Sequence, residues 1–247
     1  NKGYTQVYKG ENQECLFEGL KTIFEHIGGV PTRIWFDNAS TMVTKVMKGE
    51  GRNLTDDFLR FKEHYRFEAA FCNVDAGHEK GNVESKVGYH RRNMLVPVPR
   101  FESLSEFNKD LLIQCEEDAK REHYRKEGTI EELYKEDAAA LLELPKVTLD
   151  TSKYITVKTN GYGKFLLNKG LHEYSAAPKY ANGYVLVKLT AFHVIVLDEN
   201  YREIVRHDRL YGDHKQQSMQ WLPYLSQLAR RPGALKYTGI YHMLPQP

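Results

Sequence analysis

A change of hydrophobic period near residue 150 constrains this chain more than any single motif. From residue 154 onward, apolar residues alternate with polar ones in short runs at 154–159, 164–167, 171–174, 184–189, 193–197 and 203–207. This two-residue repeat is that of half-buried strands, because successive side chains on a strand point to opposite faces. Asn160-Gly161 and Asn182-Gly183 separate the runs with residues that accept the left-handed backbone of tight turns. Strands so short and so closely spaced predict a small antiparallel β-barrel over 147–212.

Upstream, helical and strand periods interleave. Residues 4–8 alternate weakly and read as a strand. Residues 11–27 place Cys15, Leu16, Leu20, Ile23 and Phe24 on one helical face, and Gly28-Gly29 then ends the helix. After Pro31, the run 32–36 reads as a buried strand that ends on Asp37-Asn38. A polar loop over 39–53 leads to Thr55, whose hydroxyl can cap a helix carrying Phe58, Leu59, Phe61 and Tyr65. A short strand at 68–72, a turn-rich stretch at 73–81 and a helix over 82–93 follow, and Met94 to Pro97 breaks the pattern. Residues 1–100 therefore read as an α/β unit.

Residues 101–146 read as a helical connector. A charged helix over 103–126 begins with the capping-box pair Ser103 and Glu106, and a second begins with Thr129 and Glu132 and ends before Pro145. Beyond the barrel, 213–247 reads as a helical tail. Met219, Leu222, Leu225 and Leu228 are its apolar positions and Pro223 interrupts it. Trp221, Tyr224 and Leu225 are open to two readings, a face for a partner or a contact with the chain's own core.

Composition narrows the function classes. No apolar run approaches the length of a membrane span and no basic-then-apolar leader opens the chain, so a cytoplasmic location without membrane contact is expected. Cys15, Cys72 and Cys115 are too scattered for a disulfide framework or a paired-cysteine zinc site, and His78, His90, His172, His193, His207 and His214 follow no zinc spacing. Lys plus Arg exceed Asp plus Glu by 35 − 33 = 2, too little to argue for a polyanionic partner. Any nucleic-acid contact has to come from local clusters, such as Lys80, Lys86, Arg91 and Arg92, or Lys158, Lys164, Lys169, Lys179 and Lys188 among the strands; plain solubility explains the second group equally well. The chain contains no P-loop and no dinucleotide-binding glycine fingerprint.

Two carboxylates stand out by position. Asp37 follows an apolar strand, and Glu84 lies in the first turn of the helix expected at 82–93. An α/β sheet collects strand ends and the helix starts that follow them along one edge, so residues 84 − 37 = 47 positions apart can share a metal there. Their oxygen donors select a hard cation, magnesium or manganese. Two such ions can activate the attacking oxygen and stabilise the leaving oxygen in phosphodiester chemistry. At about 100° per residue, Arg91 returns close to the azimuth of Glu84, where a cation could hold phosphate. Taken singly, an Asp-Asn pair also suits a turn, Glu84 a helix N-terminus, and Arg91 with Arg92 a solvated face.

Together these residues resemble a known family. Ile34-Trp-Phe-Asp-Asn38, the stretch from Phe71-Cys-Asn-Val-Asp through His78-Glu-Lys-Gly-Asn-Val-Glu84, and Lys86-Val-Gly-Tyr-His-Arg-Arg-Asn93 are similar to the IstA-type transposases of bacterial insertion sequences, and more distantly to retroviral integrases and phage Mu transposase. The likeness extends to Gly29-Val-Pro31 and Arg231-Pro-Gly-Ala-Leu235, and Lys80 to Glu84 is its most specific part. It implies an RNase H-like core in which Asp37 is the second catalytic acid, Glu84 the third, and Asn38 the usual neighbour of the second. The loop around 42–53 would then be an insertion. The family's first acid sits on the first strand of the core, whereas residues 1–36 contain no Asp. Residues 4–8 would be the third strand, and the first two are expected upstream of Asn1.

The resemblance further implies DNA-binding positions at Asn38, Lys80, Lys86, Arg91 and Arg92, and a barrel that contacts transposon-end DNA. It implies a homo-multimer on two paired ends acting on target DNA, and an AAA+ helper ATPase of the IstB type. Two other readings remain: a catalytically incomplete, DNA-binding fragment, and an RNase H-like nuclease that hydrolyses without joining.

Overall fold

Asn12 begins the first helix. Its side chain accepts the amide of Cys15 at 3.0 Å, and α1 (Gln13–Ile27) runs until Gly28, whose φ of 75° lies in the left-handed region that glycine adopts freely. The computed structural model describes residues 2–36, 42–46, 52–71, 77–230, 232–237 and 241; the side chains of 43–46, 52–53, 77–84 and 234–235 lie outside the description. The chain divides into two units, Asn1–Thr151 and Ser152–Pro247.

In the first unit, β1 (Arg33–Phe36) precedes an antiparallel pair, β2 (Val43–Val46) and β3 (Arg52–Leu54), within the stretch expected to be loop. Thr55 caps α2 (Asp56–Tyr65) by accepting the amide of Phe58. The chain then forms β4 (Glu68–Phe71), which runs parallel to β1 in the register Arg33 to Glu68 through Phe36 to Phe71. Phe17 and Phe24 of α1, Phe58, Phe61 and Tyr65 of α2, and Phe36 and Phe67 form one aromatic core. Rings of Phe17 and Phe61 stack at 4.5 Å and Phe36 meets Phe58 edge-on at 5.3 Å, arrangements that the ring quadrupoles favour.

Three further helices complete the described part of this unit: α3 (Gly77–Met94), α4 (Leu104–Asp118) and α5 (Ile130–Ala139). α3 starts before the expected position. α4 stops well short of 126, and an isolated bridge between Glu122 and Thr129 turns the chain into α5, which has a complete capping box. After α5, Leu142 exchanges backbone hydrogen bonds with Val30, and Leu144 and Leu149 join the aromatic core.

Two strand expectations need correction here. β1 is covered on one side only, since Phe36 is buried while Trp35 is 56% exposed. Residues 4–8 form no strand. The amide of buried Asn108 on α4 accepts the Val7 N–H at 2.8 Å and donates to the Val7 carbonyl at 2.9 Å, so a side chain satisfies the backbone that a neighbouring strand would otherwise pair.

The second unit contains β5 (Lys153–Lys158), β6 (Lys164–Leu167), β7 (His172–Ser175), β8 (Tyr184–Leu189), β9 (His193–Leu197), β10 (Glu203–Asp208) and β11 (Gln216–Ser218). The expected closed barrel is absent among the described residues. The strands form a four-stranded sheet, β10-β9-β8-β5, and a three-stranded sheet, β11-β7-β6. Closure would require β5 and β6 to pair, but a tight corner turns the chain from one sheet to the other. There the Asn160 carboxamide accepts the amides of Tyr162 and Lys164, and Gly163, at φ 69°, sits where a Cβ would fall 2.2 Å from the Ala177 carbonyl oxygen. Phe165 and Tyr174 from one sheet and Val185, Val187, Val194, Val196 and Val205 from the other share one core.

The expected helical tail is also revised. Residues Gln216–Ser218 pair in parallel with β7, and among the described residues of the tail only α6 (Leu225–Arg230) is α-helical, after Pro223 interrupts the backbone ladder. No described helix is long and apolar enough to cross a membrane.

Candidate functional site

The pairing of Phe36 with Phe71 fixes the geometry from which a site can be built. Because β1 and β4 are parallel and in register at their last residues, the chain leaves both strands at one edge of the sheet, with neighbouring strands about 4.8 Å apart. Asp37 and Asn38 come next in sequence after β1, and α3 follows β4. Asp37 and Asn38 lie outside the described residues. Positions 80 and 84 belong to the α3 backbone, but the side chains of Lys80 and Glu84 also lie outside the description. Behind the strand ends, Phe36, Phe58 and Phe71 pack against one another at 5.3 to 6.0 Å, which braces the edge from within. A shallow depression lined by Thr32, Arg33, Arg66, Glu68 and Leu142 opens at the opposite end, where the two strands begin.

Of the other candidate residues, Arg91 and Arg92 are exposed in the last turn of α3. Lys86 is turned to a different use. Its Nζ lies 3.4 Å from the Asp118 carboxylate at the end of α4 and 5.0 Å from the ring centroid of Tyr89. The Tyr89 hydroxyl donates to Asp118 at 2.5 Å, and Arg121 donates to the same oxygen at 3.1 Å while stacking over Tyr89 at 4.9 Å. Burial alone would raise the Asp118 pKa; the Tyr89 hydrogen bond and the charges of Arg121 and Lys86 outweigh it and hold the carboxyl below its ordinary range. One turn further, buried His90 is hydrogen-bonded to the Thr5 hydroxyl through Nδ1, and its Nε2 finds no partner among the described residues. Burial and the charge of Lys86 depress its pKa, so the ring is neutral near pH 7.

A second carboxylate on α4 fastens the start of the chain. Glu116 pairs with Lys2 at 2.5 Å, accepts the Tyr4 hydroxyl at 2.8 Å and lies 3.0 Å from His26 Nε2 on α1. Lys2 also lies 4.7 Å from the Tyr134 ring on α5. Burial opposes the charged form of Glu116, but these partners prevail and lower its pKa. Sequence reasoning missed Tyr89, Asn108, Glu116 and Asp118. A signal existed, because Glu116 and Asp118 end a helix with no basic residue in its last turn. The helix dipole disfavours acids there, so they gain from donors brought to them, as Lys86 and Tyr89 are to Asp118 and Lys2 is to Glu116.

In the second unit the buried histidines pack rather than ligate. His207 has Nε2 2.7 Å from the Ser175 carbonyl and Nδ1 2.9 Å from the Ser218 hydroxyl, and His172 lies 3.0 Å from the Gly212 carbonyl. Among the lysines, Lys164 pairs with Glu173 at 2.9 Å and Lys188 lies over Tyr154 at 5.5 Å. Tyr224 donates to the Tyr162 carbonyl at 2.9 Å and meets Trp221 edge-on, so these aromatics face their own unit. Among the described residues, no group of three His, Cys, Asp or Glu side chains could hold a metal.

No protein-family model matches the chain. It is 31% identical over 249 aligned residues to a transposase of Aminobacter aminovorans, covering 97% of this chain and 47% of that protein. It is 29% identical over 250 residues to a transposase for insertion sequences IS1326/IS1353 of Pseudomonas aeruginosa, covering 97% of this chain and 48% of the relative, and matches the Shigella flexneri transposase for the same insertion sequences to the same extent. The chain therefore spans about half the length of the curated relatives it matches, and nearly all of its own length is similar to insertion-sequence transposases.

Proposed function

We propose that this chain is part of a DNA transposase of the IstA type, and that its first unit carries Asp37 and Glu84 as two acids of an RNase H-like catalytic core. The observation that carries the reading is the likeness to transposases over 97% of the chain. The in-register ends of β1 and β4 support it, because they direct the chain toward one sheet edge just before Asp37 and just before α3. Carboxylate oxygens are the donors that magnesium or manganese prefers, so the donor chemistry of Asp37 and Glu84 fits such ions. When bound, two ions would activate an attacking oxygen and stabilise the leaving one at a phosphodiester. The chain's own contribution is to carry the acids directly after β1 and on α3, and to offer Arg91 and Arg92 to phosphate. Lys80 and Asn38 are assigned to the same DNA path. Lys86, held by Asp118, contributes through the shape of α3 as well as through charge.

The reaction proposed is hydrolysis at a transposon end, followed by attack of the freed 3′ hydroxyl on target DNA. A homo-multimer on paired ends and an AAA+ helper of the IstB type are proposed partners, and the second unit is assigned to end DNA. In the full-length protein, Glu84→Gln and Asp37→Asn are each expected to abolish joining while leaving end binding intact in gel-shift assays. Joining retained by either variant removes that acid from the role. Products resolved on denaturing gels distinguish transfer from hydrolysis alone, and a hydrolysed product without joined DNA would replace this reading with that of a nuclease.

A further inference from the structure

We propose that Tyr89 and Asp118 are positioning residues that clamp helix α3 against the end of α4, and so set the placement of the helix that carries Glu84. This inference rests on the catalytic reading above. α3 lacks the apolar stripe that normally fixes a helix on its core. Its sequence, GHEKGNVESKVGYHRRNM, holds few apolar residues, and Val87 is 46% exposed. What holds its second half is mainly polar, apart from Met94, whose sulfur lies 3.9 Å from that of buried Cys115 on α4. Lys86, Tyr89 and His90, which share one side of the helix, engage Asp118, Arg121 and Thr5, with the Lys86 ammonium 5.0 Å and the Arg121 guanidinium 4.9 Å from the Tyr89 ring centroid. The Asp118 carboxylate is the common acceptor of the Tyr89, Lys86 and Arg121 contacts, so removing it releases all three. Position 84 lies two residues before Lys86 on the same helix. Constellations that work on a reacting phosphate must hold to about 0.5 Å and 10–20°, a tolerance that a helix without an apolar seam would exceed once its clamp opened.

The test uses the full-length protein with Tyr89→Phe, which removes only the hydroxyl, and Asp118→Ala. Three measurements are made on each: hydrogen exchange of peptides from α3, the magnesium concentration giving half-maximal joining, and end-DNA binding by gel shift. Exchange over 85–94 is expected to accelerate while α1 and α2 keep their protection. The magnesium requirement is expected to rise on the order of ten-fold, as it does when the support of a metal ligand is lost, with end binding unchanged and activity partly restored by added magnesium. A merely structural role would instead lower the yield of folded protein without moving the magnesium requirement. If Asp118→Ala fails to fold, Tyr89→Phe decides alone. An unchanged magnesium requirement or unchanged α3 exchange in folded Tyr89→Phe overturns the clamp. Joining lost in Glu84→Gln alongside that result leaves the catalytic reading standing, whereas joining retained by Glu84→Gln overturns both.

Discussion

Replacing Asn108 by alanine should weaken the first unit by about 2–3 kcal/mol, because one carboxamide there does the work of a neighbouring strand. Its oxygen accepts the Val7 N–H at 2.8 Å and its NH2 donates to the Val7 carbonyl at 2.9 Å. Each such bond contributes about 1 kcal/mol net, and stranding its backbone partner adds roughly another 1 kcal/mol or more where water is excluded. Val7 is only half-buried, so water recovers part of that loss and the lower end of the range applies. The contact between Gln6 and the Asn108 backbone carbonyl survives the substitution. Urea unfolding followed by far-ultraviolet ellipticity reports mainly on this unit, since α1 to α5 all belong to it. Asn108→Asp provides a signed control: the carboxylate still accepts the Val7 N–H but faces the Val7 carbonyl with no proton to donate, and should recover stability on acidification as a proton returns. A loss below about 0.5 kcal/mol in Asn108→Ala, within the range of ordinary surface substitutions, would refute the claim that this amide takes the place of a strand beside Val7.

His90 and His207 are both depressed by burial, so the unfolded chain binds protons more tightly than the folded one and stability should fall as pH drops below about 6.5, with the urea midpoint declining between roughly pH 7 and 5.5; a flat midpoint over that range contradicts the buried neutral rings. Phe61→Ala, at a fully buried ring touching Phe17, Phe24, Tyr65 and Phe67, should cost about 3–5 kcal/mol in denaturant titrations, and a loss under 1 kcal/mol would mean that the aromatic core is not shared. Tyr174→Phe leaves the Leu210 amide, now bonded at 2.8 Å, without its acceptor and should cost the second unit about 1–2 kcal/mol while leaving the α-helical transition of the first unit in place.

Local signals in the chain were decisive wherever one residue type governs a local backbone choice. Asn12, Thr55, Ser103 and Thr129 each cap the helix that follows, Gly28 ends α1, and the strands at 164–167, 184–189 and 193–197 have the expected bounds. The positions of Asp37 after a strand and of Glu84 on a helix were legible for the same reason. Pairing was not. Whether residues 4–8 find a strand or the amide of Asn108, whether the later strands close or split into two sheets, and whether Gln216–Ser218 joins a sheet all depend on which other segment supplies the partner, 101 residues away for Val7 and 44 for Gln216. Alternation reports which side of a segment is apolar and says nothing about which backbone satisfies it. By itself, then, the sequence determined the helix caps, most of the local elements, the change of period near residue 150 and the two acids worth testing. Tertiary structure alone decided that Lys86 serves Asp118 and that α4 holds both the start of the chain and α3, because carboxylates at a helix C-terminus are disfavoured by the dipole and draw donors from other elements, Lys86 and Tyr89 to Asp118 and Lys2 to Glu116, in addition to nearby Arg121.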